Sequence, residues 1–136
     1  QKLDIYKRIT GIENEKERDD MKDELLDRFG TIPKPVDNLL RIALIRVSAH
    51  RLYMTEVKGK NERILFTFRP DADINPAGIP LLLKQYKDTL RFTAYGNPFF
   101  TYRYYKTGLV EKDAELILSD TEKLLQQMSE VLIIGQ

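Results

Sequence analysis

A chain of 136 residues, 42% hydrophobic and 32% charged, is long enough to bury a core of its own as one compact domain spanning residues 1–136. Without cysteine it has neither a disulfide framework nor thiolate chemistry. Basic and acidic residues number 22 and 21, so the net charge of +1 excludes a uniformly basic, phosphate-coating surface but leaves room for local patches of either sign.

The first residues, Gln1 to Arg8, lack the apolar stretch of a signal peptide, and no run approaches the roughly 20 apolar residues of a membrane span. The expectation is a cytoplasmic protein with no membrane partner. The missing initiator Met reads as the start of a piece cut from a longer chain. Leu3, Tyr6 and Ile9 recur at helical spacing, and Gly11 ends that short amphipathic helix. A second helix is expected from about Glu13 to Phe29, with Met21, Leu25, Leu26 and Phe29 as its core-facing stripe and Gly30 just beyond its end. Pro33 and Pro35 break the helical pattern. A third helix follows near Pro35–Leu52, apolar on two sides and therefore wedged between other elements.

The pattern then changes to period two. Met54–Val57, a Gly59-Lys60-Asn61 turn and Ile64–Phe68 predict a β-hairpin. Asn75-Pro76 resembles an N-cap and first-turn pair, although Pro80 moves the helix start toward Ile79. That helix runs to about Tyr86. A second hairpin pairs Thr89–Tyr95 with Phe99–Tyr105, and a long amphipathic helix closes the chain from about Lys112 to Leu132. The expected class is α+β: N-terminal helices, a small antiparallel sheet of two hairpins, and a long C-terminal helix.

Catalysis needs converging groups, and none is visible; no catalytic residue, cofactor or metal is expected in this domain. His50 is the single histidine, and Ser48 at i, i−2 on a helix faces away from it. One histidine and no cysteine argue against a zinc site. Asp71 and Asp73 are too few ligands for a hard cation. Phosphate-cradling glycine motifs are absent from the sequence.

Two features could carry interactions. On the second helix Asp20, Asp23, Glu24 and Asp27 form one acidic arc opposite the apolar stripe. Their mutual repulsion, and the position of Asp27 near the negative end of the helix dipole, are local costs that a basic partner would offset. A plain solvated face is the ordinary alternative. The second feature is the strand Phe99–Lys106, where aromatic residues alternate with Arg103 and Lys106. Phe100, Tyr102 and Tyr104 fall on one face; Phe99, Thr101, Arg103 and Tyr105 fall on the other. Packing against a helix accounts for one of those faces, and a nucleic-acid-stacking strand remains the rival to a protein-docking role.

The N-terminal third carries a family resemblance. Ile5-Tyr6-Lys7-Arg8-Ile9, then Glu24-Leu25-Leu26-Asp27-Arg28-Phe29-Gly30 with Pro33 in the following loop, then Asn38-Leu39-Leu40 with Ile42-Ala43, is similar to the C-terminal domain of bacterial transcription-repair coupling factors. The motifs cover about the first 50 residues, and the match weakens after Leu52. The resemblance implies a parent that is an ATP-driven translocase on double-stranded DNA. That parent displaces stalled RNA polymerase and recruits the excision-repair protein UvrA, and its ATP and magnesium belong to motor domains outside this one. It further implies that this domain docks on the parent's UvrB-like module, masks the UvrA-binding surface and restrains the motor. The charged residues of the matching segment, Glu24, Asp27 and Arg28, are the docking residues it implies. Exposed ion pairs are individually weak, which suits a latch that opens.

Overall fold

The computed structural model describes residues 2–133, with side chains from Asp4 onward; the Leu3 side chain therefore lies outside the described residues. The elements are helices α1 (Lys2–Thr10), α2 (Glu15–Phe29) and α3 (Lys34–Arg51), strands β1 (Met54–Lys60) and β2 (Arg63–Phe68), helix α4 (Gly78–Tyr86), strands β3 (Leu90–Thr93) and β4 (Phe99–Arg103), and helix α5 (Val110–Leu132). A single 3-10 turn, Lys87–Thr89, joins α4 to β3. The class is α+β. The chain divides into two compact units, residues 1–47 and 48–136, with the division inside α3.

The first unit is three helices around a small core of Ile9, Ile12, Met21, Leu25, Leu40 and Ala43, with Ile5, Ile32, Val36, Leu39 and Leu44 packed at its margin. Asn14 starts α2 by accepting the Glu17 amide on its side chain at 2.8 Å. Gly30 ends the helix at φ 76°, a left-handed conformation that glycine adopts without strain, and donates its N–H to Leu26 O at 2.8 Å. The apolar stripe of α2 is narrower than its sequence suggests. Met21 and Leu25 are buried, but Leu26 and Phe29 are 46% and 51% exposed. Leu26 lies about 140° around the helix from Met21 at 3.6 residues per turn, outside the arc that reaches the core. Phe29 occupies the last turn. On α3, Ile42 is likewise half exposed although its spacing places it on an apolar stripe.

The second unit holds a four-stranded antiparallel sheet in the order β1-β2-β4-β3. The two hairpins therefore join through the central β2–β4 pairing. The first turn is tighter than expected: Gly59 and Lys60 stay in β1, and Asn61-Glu62 alone reverse the chain with φ of 52° and 60°. Positive φ at both turn residues matches the strand twist, and Asn tolerates that region. The expected cap at Asn75-Pro76 is also displaced. The chain turns there before α4 begins at Gly78, with the Ala77 N–H bonded to Asn75 Oδ1 at 3.2 Å. Asn75 N–H donates to Leu132 O at 2.6 Å, and a Cβ on Gly78 would stand 2.2 Å from Val131 O, so the start of α4 lies directly on the last turn of α5.

One sheet face is sealed. Ile64, Phe66, Phe68, Phe100 and Leu90 are buried on it, and the long apolar stripe of α5 is buried at Leu118, Leu124, Leu125, Met128 and Leu132. Phe100 packs edge-on to Phe68 and tilted against Phe92. Tyr102 on this side donates its hydroxyl to Asp120 Oδ2 of α5 at 2.8 Å and meets Tyr86 of α4 edge to face.

Candidate functional site

The acidic arc of α2 is at the surface. Asp20, Asp23 and Asp27 are exposed, and Glu24 is half buried. Their partners separate them into two groups. Asp20 accepts from Lys16 Nζ one turn earlier at 3.0 Å. Glu24 takes a two-pronged ion pair from Arg8 of α1, Nη1 to Oε2 and Nη2 to Oε1, the second bond at 2.7 Å. Arg28 adds a longer contact to the same carboxylate at 3.5 Å. The Arg8 hydrogen bond is the main reason that the Glu24 carboxyl titrates below its ordinary range, with Arg28 contributing charge. Arg8 is correspondingly held above its usual value, chiefly by Glu24.

Asp23 and Asp27 have no hydrogen-bond or ion-pair partner among the described residues. With Glu24 and the exposed Leu26 they line an open depression of about 560 Å³. The Arg28 guanidinium lies 5.5 Å from the Phe29 ring centre, so the exposed aromatic and the cation form one stacked surface element. The segment Asp23–Phe29 thus presents two unpaired carboxylates, an apolar side chain and a stacked Arg–Phe pair. Such a mixture of charge and exposed apolar surface belongs to interfaces more than to plain solvated helix faces.

Of the three residues singled out from sequence, Glu24, Asp27 and Arg28 stand within two turns of each other, but Glu24 is engaged inside its own unit. Sequence reasoning missed the Arg8 partner, whose motif was visible yet lies 16 positions away, and missed the exposure of Leu26 and Phe29. It also placed Asp23 on the acidic arc without naming it among the docking residues.

The remaining candidates are placed as follows. His50 is exposed in the last turn of α3. Asp71 and Asp73 are exposed, and Asp71 pairs with Arg69 Nε at 3.2 Å. No group of three or more potential metal ligands occurs among the described residues. On β4, Phe100 and the adjoining Tyr104 are buried, while burial and the neighbouring Asp120 push the Tyr102 phenol well above its ordinary range. Arg103 lies on the opposite face with its guanidinium 5.1 Å from the Tyr105 ring centre. No helix among the described residues is long and apolar enough to cross a membrane.

The TRCF domain family matches residues 1–79. Among curated relatives, the transcription-repair-coupling factor of Escherichia coli (strain K12) is 39% identical over 85 residues, 62% of this chain and 7% of that protein. Its namesake from Haemophilus influenzae is 32% identical over 91 residues, 67% of this chain and 8% of that protein. That from Bacillus subtilis (strain 168) is 32% identical over 72 residues, 53% of this chain and 6% of that protein. The chain therefore spans less than a tenth of the length of these relatives. In fold it resembles the crystal structure of a C-terminal domain of transcription-repair coupling factor, with a TM-score of 0.71 and 23% identity over 95% of this chain and 81% of that one.

Proposed function

The chain belongs to the TRCF domain family, and from that premise we propose that it is the regulatory docking domain of a transcription-repair coupling factor. In this reading the outer face of α2 docks on the parent's UvrB-like module, masks the UvrA-binding surface and restrains an ATP-driven, cytoplasmic DNA translocase that acts on stalled RNA polymerase. The chain itself contributes no catalysis. What carries the reading is the segment Asp23–Phe29, where Asp23 and Asp27 stand unpaired beside exposed Leu26 and Phe29 within the stretch that matches the family. Two unpaired carboxylates call for Arg or Lys across the interface, and the apolar pair supplies the area that charges alone do not. Glu24 has a second duty. Its tie to Arg8 holds α1 against α2, so it positions the docking face as well as contributing to it.

Charge reversal of both Asp23 and Asp27 to Lys in the full-length parent separates docking from folding, because neither side chain holds this unit together. The expected result is higher basal ATPase activity and stronger UvrA binding, with the variant still folded. Values equal to those of the unaltered parent for both readouts would refute the docking role.

A further inference from the structure

The second face of the sheet is open, and its charge is one-sided. Register places Lys60 opposite Arg63 and Arg63 opposite Arg103, a row of three cations across β1, β2 and β4. Two residues along, Lys58 and Arg91 flank Leu65 and Thr101 in the next row on the same face. All five cations are exposed, and none has a carboxylate partner among the described residues. Glu56, opposite Thr67, is the one acidic strand residue on this face.

Charged side chains on edge strands are an ordinary defence against sheet extension, which accounts for Lys58, Lys60 and Arg91. It does not account for Arg63 and Arg103, which sit on the two central strands. Like charges directly opposite each other destabilise a sheet, and here the central pair is Arg against Arg. An anion bridging the row would remove that repulsion. Opposed residues are about 5 Å apart, so the row spans about 10 Å, and the second row lies about 7 Å away. The patch is thus elongated, with room for successive charges of a polymer. Two rings border it. Tyr105 is 65% exposed against the Arg103 guanidinium, and Phe99 is half buried on the same face.

We propose that this open face binds the phosphate backbone of a single-stranded nucleic acid, with Arg63 and Arg103 as central phosphate contacts and Tyr105 as a base-stacking ring. Unpaired bases are what the flanking aromatics require; in a duplex those faces are already stacked on each other. The site lies wholly in the unit formed by residues 48–136 and is independent of the acidic face of α2.

The test is fluorescence anisotropy of the full 136-residue chain with a labelled oligothymidylate of about 12 nucleotides, a length within the usual site sizes of such surfaces. Binding is expected to weaken with salt at a log–log slope of about −2 to −3.5, from three to five phosphate contacts at about 0.7 each. The double variant Arg63→Ala/Arg103→Ala should lower affinity at least tenfold and make the slope shallower by about 1.4. Tyr105→Ala should lower affinity with the slope unchanged, which a merely electrostatic patch would not show. Lys16→Ala, on the other unit, should change nothing, and circular dichroism confirms that each variant is folded. No binding at low salt, or binding unaffected by the double variant, overturns the proposal. So does equal or tighter binding of a same-length duplex or of polyglutamate, which would assign the face to double-stranded DNA or to an acidic protein segment.

Discussion

The two units of this chain bury their apolar residues in different ways. Residues 1–47 enclose six buried side chains among the described residues, and three of the six, Ile12, Met21 and Leu25, are still 4–5% exposed. Their polar ties are superficial: the Arg8–Glu24 pair, and Arg46 donating to the carbonyls of Thr10 and Ile12 at 2.7 and 3.2 Å. Residues 48–136 instead bury Phe66, Phe68 and Phe100 on the sheet and Met128 and Leu132 on α5 with no exposed surface. The lesson is that the two units differ in how deeply they enclose their apolar residues. The thin helical unit carries an exposed, chemically mixed face of the kind a reversible interface needs, and the dense sheet unit is a platform. Regions with few buried contacts open first, so amides of α1 and α2 should exchange with solvent ahead of those in β2 and β4.

The strongest way to break this comparison is a matched pair of core truncations. Phe100→Ala should cost about 3–5 kcal/mol, because the ring is enclosed by Phe68 and Phe92 and the cavity cannot collapse. Leu25→Ala should cost about 2–3 kcal/mol, the low end for a buried leucine, since a shallow core relaxes and admits water. Denaturant melts of both variants decide the matter: equal losses would show that the helical unit is as tightly packed as the sheet unit. A smaller effect is expected for Tyr102→Phe, which removes the 2.8 Å bond to Asp120 and should cost about 1 kcal/mol by thermal melting.

The smallest expected effect concerns acid. The Glu24 carboxyl titrates below its ordinary 4.5, so its pairing with Arg8 stabilises the folded chain fully above that value. The stabilisation is lost as pH falls through the lower native value. Glu24→Gln should therefore lower stability slightly at neutral pH and leave a flatter pH profile on the acid side. The pair is half exposed, so added salt should shrink the difference. An unchanged acid-side slope would remove the Arg8–Glu24 tie from the account of the helical unit.

Much of this architecture is legible in the residues, for stated reasons. The three helices are punctuated by Gly11, Gly30 and the Pro33–Pro35 segment, and the α5 stripe is long enough to fix its inner face unaided. The alternation of Phe100, Tyr102 and Tyr104 against Phe99, Thr101 and Arg103 assigns the faces of β4 correctly. The failures share a cause. Leu26, Phe29 and Ile42 are apolar at helical spacing, but spacing reports which residues share a face and not how far the core extends beneath them. The Asn61-Glu62 turn lacks the glycine that usually marks such a reversal, so Gly59 drew the turn two residues early. The basic sheet face was only half visible. Arg103 was evident on its strand, yet its alignment with Arg63 and Lys60 depends on the β2–β4 pairing, which joins residues 40 positions apart.

The approach of Gly78 to Val131 has a mechanical consequence. Two backbones meet there with no space for a methyl group, and the Asn75–Leu132 bond clasps them beside that point. The start of α4 can neither roll nor slide along α5 without a collision or a broken clasp. The start of α4 and the last turn of α5 are therefore pinned together at this point, and a side chain larger than glycine at position 78 would force them apart.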